Sequence, residues 1–110
     1  MNNKYNRINV YNNAVKNTKL YKLIFDNYEL KCIANVLTFN ILYSKMYKHI
    51  AQNLNYNFSK SLSPIILNSY QIDGLKDCIE SYLSKVKDVS KEKDTLEKIK
   101  KTLIKNIKKG

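Results

Sequence analysis

Residues 28–56, YELKCIANVLTFNILYSKMYKHIAQNLNY, decide the fold. Cys32, Val36, Tyr43, Tyr47, Ile50 and Leu54 recur there at steps of three, four or seven, with Phe39 and Met46 along the border, so one helical face is apolar throughout. The opposite face reads Lys31, Asn35, Thr38, Lys45, His49 and Gln52 and is interrupted by Leu42. At 3.6 residues per turn this pattern predicts one amphipathic helix of about eight turns, central to the protein, with Tyr43, Ile50 and Leu54 buried. The run VLTFNILY is rich in β-formers, but the helical period continues far beyond the length of a strand.

Shorter periodic segments flank this helix. Residues 12–27 carry Val15, Leu20, Leu23 and Ile24 among Lys16, Lys19 and Lys22 and predict a first helix. Residues 57–63 read as a loop, and Ser63-Pro64 as a helix start, because serine caps free N–H groups and proline at the first position gives up no bond. Ile72, Leu75, Ile79, Tyr82, Leu83 and Val86 form the apolar face of the next helix, which Gly74 divides from a turn at 64–68. Asp73, Asp77 and Glu80 near its beginning and Lys85 and Lys87 near its end complement the helix dipole. Ser90 opens a last segment, in which Leu96, Ile99, Leu103 and Ile107 make a narrow seam among eight lysines, a docking helix or a basic arm. The expected fold is all-α: a small helical bundle of about four helices in one domain, with a fraying start at 1–11 and a lysine-rich terminal helix at 90–110.

Fifty-five of the 110 residues are Asn (15), Lys (19), Ile (12) or Tyr (9), whose codons are mostly A and T, so the net charge of +11 is discounted before it is read as function. Arg7 is the only arginine, which leaves almost none of the bidentate guanidinium contacts that read guanine edges. Sequence-specific DNA reading is thereby disfavoured, whereas a lysine surface tracking phosphates is not. The start of the chain is too polar for a signal sequence, and residues 32–44 are too short and too rich in Asn to cross a membrane. Cys32 and Cys78 match no ligand spacing and read as reduced, buried thiols of a cytoplasmic protein.

Catalysis finds little support. His49 is the sole histidine and falls on a polar face, and dipole complementation accounts for Asp73, Asp77 and Glu80 without a metal. No enzyme activity, cofactor or metal is expected. A helix-turn-helix is weighed because Ile50, Ala51, Leu54, Tyr56, Leu62 and Ile65 have suitable spacings, although Pro64 would fall inside the recognition helix at a cost of about 3 kcal/mol.

Residues 28–88 resemble a known family. Tyr-Glu-Leu at 28–30 opening a long helix, Ser44-Lys45, SLSPIILN at 61–68 and LKDCIESYLSKVK at 75–87 are similar to the small helical (belly) subunit of type I CRISPR surveillance complexes, in the form equivalent to the C-terminal helical domain of the type I-B large subunit. A glycine expected after the tyrosine and leucine is Lys31 here. The resemblance implies a non-catalytic protein that packs beside further copies of itself and other subunits of a Cascade-like complex. It also implies contacts to guide RNA, target DNA and the displaced strand through basic surfaces, and no membrane.

On this reading Lys31, Lys45 and Lys48 are the first candidate phosphate contacts, followed by Lys16, Lys19, Lys22 and Lys60, with Tyr56 a candidate stacking surface. Solvated lysines are the competing reading for each of them singly. A small inhibitor or immunity-type protein of a mobile element, binding a protein target through Asp73, Asp77 and Glu80, is the alternative from another class.

Overall fold

The computed structural model describes residues 19–60, 64–88 and 90–109, with the side chains of all of these but Lys60 and residues 107–109. Among the described residues there are four helices, α1 (Asn27–Tyr43), α2 (Lys48–Lys60), α3 (Ser69–Lys85) and α4 (Ser90–Lys109), and two strands, β1 (Leu20–Leu23) and β2 (Ile65–Asn68). The small helical bundle expected from the hydrophobic period is therefore present, with a two-stranded sheet added to it.

The expected long central helix is two helices. Ser44 is extended (φ −114°, ψ 112°), and its own N–H still donates to the Asn40 carbonyl, closing α1. Its Oγ accepts from the Tyr47 N–H at 3.1 Å, starting the next turn in a new direction. Serine competes with the helix in this way because its hydroxyl offers the backbone a local partner. Ile50 and Leu54 are buried as expected, but Tyr43 is 70 % exposed, because α1 ends there and the apolar stripe no longer continues along one rod. The core face of α1 is made by Cys32, Ile33, Val36, Leu37 and Asn40.

β1 stands where a helix was expected, and β2 where a helix start and a turn at 64–68 were expected. Residues 12–18 of the first expected helix, like the start at 1–11, lie outside the described residues, and Leu20–Leu23 is strand β1. It pairs antiparallel with β2, Leu20 opposite Asn68 and Leu23 opposite Ile65. Alternation sends Leu23, Ile65 and Leu67 inward and leaves Leu20, Lys22 and Ile66 outside, the period of two that a half-covered sheet requires. Pro64 thus precedes a strand rather than opening a helix, and the β-branched pair Ile65-Ile66 fits that pleated edge. The helix-turn-helix is not formed, since strand occupies the place of its recognition helix.

Reciprocal caps fix two helix starts. Asp26 and Glu29 exchange backbone-to-side-chain bonds of 2.7 and 2.8 Å at the head of α1. Asn68 and Gln71 do the same for α3 at 2.8 and 3.0 Å, so α3 begins one residue after β2 and runs through the buried Gly74. Each such box satisfies two of the otherwise orphaned amides of a first turn.

α3 is the hub of the bundle: it packs on α1, α2, α4 and β2. Ile72, Leu75, Cys78 and Ile79 are fully buried on it. Buried Asn40 donates from Nδ2 to the Val36 carbonyl at 2.9 Å and to the Cys78 carbonyl at 3.0 Å, tying α1 to α3. The terminal helix is docked, with Leu96, Ile99 and Leu103 buried. Glu92 secures its first turn by accepting from Asn35 Nδ2 at 2.7 Å and from the Tyr82 hydroxyl at 2.9 Å. No helix among the described residues is long and apolar enough to cross a membrane.

Candidate nucleic-acid interface

The candidate lysines divide between the two ends of the α1–α2 hairpin. Lys45 lies in the connection at 44–47 and Lys48 is the first residue of α2; both are exposed and flank the corner. Lys31 is exposed near the start of α1, about 20 Å away along the helix at a rise of ~1.5 Å per residue. Lys19 and Lys22 belong to the sheet end: Lys22 projects from β1 opposite Ile66, and the Lys19 ammonium stands 5.6 Å from the centre of the Tyr21 ring. Lys16 and the side chain of Lys60 lie outside the described residues. Tyr56 is 57 % exposed on α2.

The acidic groups are distributed quite differently. All nine carboxylate side chains stand at Asp26 and Glu29 or from Asp73 to Glu97, so residues 30–72 contain none. Exposed side chains of α1 and α2 are accordingly lysine, histidine and neutral: Lys31, Thr38, Lys48, His49, Gln52 and Asn55. Coding bias toward A and T enriches lysine, but it does not sort carboxylates to one part of a chain.

Within α3 and α4 the carboxylates meet the chain's own donors. Asp73 pairs with Lys76 at 3.8 Å, and Lys100 joins Glu80 at 3.5 Å to Glu97 at 3.4 Å. Two members of the acidic face considered for a protein target, Asp73 and Glu80, are therefore matched internally. Between this layer and the α1–α2 corner is an open cleft of about 480 Å³, lined by Tyr43, Lys45, Tyr47, Asp77, Glu80 and Lys85 among others. Lys45 thus has an acidic neighbourhood on its cleft side and solvent on the other. Leu42, Tyr43 and Met46 are exposed at the same corner, at 65 %, 70 % and 59 %. The sequence reading missed this patch, for which Ser44 was the available signal.

His49 is exposed on α2, and both cysteines are buried free thiols. Burial pushes the Cys32 thiol up, and pushes Cys78 from the usual 9.0 to about 12, with the charge of Asp77 adding to it. Tyr82 is likewise pushed up to about 12, first by burial and then by its bond to Glu92. Among the described residues no group of three or more His, Cys, Asp or Glu is placed to hold a metal ion.

An alkaline instability follows from Cys78. Below its unfolded value near 9.0 the thiol is protonated in both states and stability is fully kept. As pH rises toward about 12, the unfolded thiol ionises while the native one cannot, so stability falls by up to about 1.4 kcal/mol per pH unit. Urea midpoints of wild type and Cys78→Ala at pH 8 and pH 10.5 should show a smaller alkaline loss in the variant; equal losses would remove Cys78 as a cause.

No family model, curated protein or solved structure matches the chain.

Proposed function

We propose that the protein is a non-catalytic subunit that binds nucleic-acid backbone, in the manner of the small subunits of type I CRISPR complexes that its sequence resembles. The observation that carries this reading is the sorting of charge: an α1–α2 layer with exposed lysines and no carboxylate in residues 30–72, beside an α3–α4 layer that holds most of the acids and pairs several of them. A phosphate chain is attracted to such a face without a pocket or a base-reading set, and one arginine in the chain fits contacts that ignore sequence. From Lys31 to the corner the span of about 20 Å equals roughly six phosphates of a B-form strand at ~3.4 Å each. In an assembled complex, base pairing with guide RNA would supply specificity, and this subunit would hold target and displaced strands beside other subunits and further copies of itself, in the cytoplasm.

Position, rather than total charge, is what the test must vary. Lys45→Gln/Lys48→Gln and Lys87→Gln/Lys93→Gln lose the same charge from different places, the second pair standing beside Asp88 and Asp94. The corner pair should weaken oligonucleotide binding several-fold more than the other, and His49→Gln should leave it unchanged. Equal losses in the two pairs would reduce the binding to diffuse charge, and a large loss in a folded His49→Gln variant would reopen a catalytic role.

A further inference from the structure

The α1–α2 corner combines an open aromatic ring with cations. Tyr43 is 70 % exposed, and one side of its ring meets Phe39. Its ring centre lies 5.3 Å from that of Phe39, and Phe39 in turn stands edge-on to the buried Tyr82 at 5.5 Å and 80°. The three rings form a series from core to solvent, in which the outermost meets Phe39 on one side and offers its remaining surface to solvent. Leu42 and Met46 extend the apolar surface on either side, and Lys45 and Lys48 follow within five residues.

We infer that this corner is a base-stacking platform for single-stranded nucleic acid, with an unstacked base on the Tyr43 ring and the adjoining phosphates along Lys45 and Lys48. The inference rests on the proposed backbone binding and adds to it a contact that a lysine surface alone does not make. Charge biases the course of the strand: Asp77 and Glu80 line the cleft beside Tyr43 together with Lys45 and Lys85, whereas Lys48 stands outside that lining, so the backbone runs from Lys45 at the cleft toward Lys48 and away from the carboxylates. Any base presents a flat face to such a ring, which makes the contact tolerant of sequence. Duplex offers no such face, because its bases are stacked on one another. Residues 42–48 carry Lys45 and Lys48 and no carboxylate, which favours a nucleic acid over a protein partner on that side, while Asp77 and Glu80 stand across the cleft.

The test compares Tyr43→Leu, which keeps an apolar contact to Phe39, with Tyr43→Phe, which keeps the ring, and with Lys45→Gln/Lys48→Gln. Each protein is titrated by fluorescence anisotropy against an unstructured DNA strand and against a duplex of the same sequence. Stacking on an aromatic side chain predicts that Tyr43→Leu weakens single-strand binding by roughly tenfold, that Tyr43→Phe restores it, and that neither changes duplex binding. Wild-type affinity of Tyr43→Leu for the strand, or an equal loss for strand and duplex, would overturn the platform. If the lysine pair still weakens binding in that case, backbone binding stands without stacking; if no variant changes binding, both readings fall. A corner that is instead a protein-docking patch would leave the Tyr43 variants equal to wild type in both titrations.

Discussion

Ile79→Ala should destabilise the protein by about 2–5 kcal/mol, whereas Leu42→Ala should cost less than about 0.5 kcal/mol. Both positions carry large aliphatic side chains on helices, and composition does not separate them. The architecture does. Ile79 is fully buried on α3, the helix that touches each of the other three and β2, so its removal leaves a cavity that no single neighbour can close. Leu42 is 65 % exposed one residue before the end of α1. With a total stability of about 5–15 kcal/mol for a domain, the first change removes a large fraction and lowers the urea midpoint by roughly 1–3 M at an unchanged slope. The measurement is urea unfolding of both variants against wild type. Similar costs at the two positions would mean that Leu42 is covered in the folded protein, against the exposed end of α1 described here.

That contrast also shows where the hydrophobic period stops being informative. α3 and α4 are legible because Ile72, Leu75, Ile79 and Tyr82, and then Leu96, Ile99 and Leu103, keep one phase and are buried together. The break at 44–47 is not, because Val36, Tyr43, Tyr47, Ile50 and Leu54 keep a helical step across it while the chain changes direction at a single serine hydrogen bond. The strands escape for a different reason. Each has four residues, and β1 is specified by partners more than forty residues away, Leu20 by Asn68 and Leu23 by Ile65, which no local window contains. Asp26 with Glu29 and Asn68 with Gln71 are readable cap signatures that place the starts of α1 and α3 more closely than the apolar residues do.

Of the candidate interface, the lysines were legible as types but not as a surface. Lys45 and Lys48 come together at a corner that exists only because the long helix is broken, and Lys31 is left at the other end. Tyr43 lay on the apolar stripe and was expected in the core; its exposure comes from standing at a helix terminus, a tertiary fact. The carboxylate-free stretch needs no structure to be counted, yet its meaning depends on α1 and α2 forming one layer.

Backbone binding itself is most directly tested by the salt dependence of DNA affinity. Each phosphate contact contributes roughly 0.7–0.9 to the slope of log affinity against log salt, the lower value for single strands. If Lys31, Lys45 and Lys48 all meet phosphates, replacing the three by glutamine should flatten the slope by about two to three units, and should do so for unrelated sequences alike. The measurement is one titration series, wild type and triple variant, over a range of salt concentrations with single-stranded and duplex DNA. A steep wild-type slope and a flattened variant slope are the result predicted here; parallel slopes for the two proteins, or a strong preference for one DNA sequence, would contradict it.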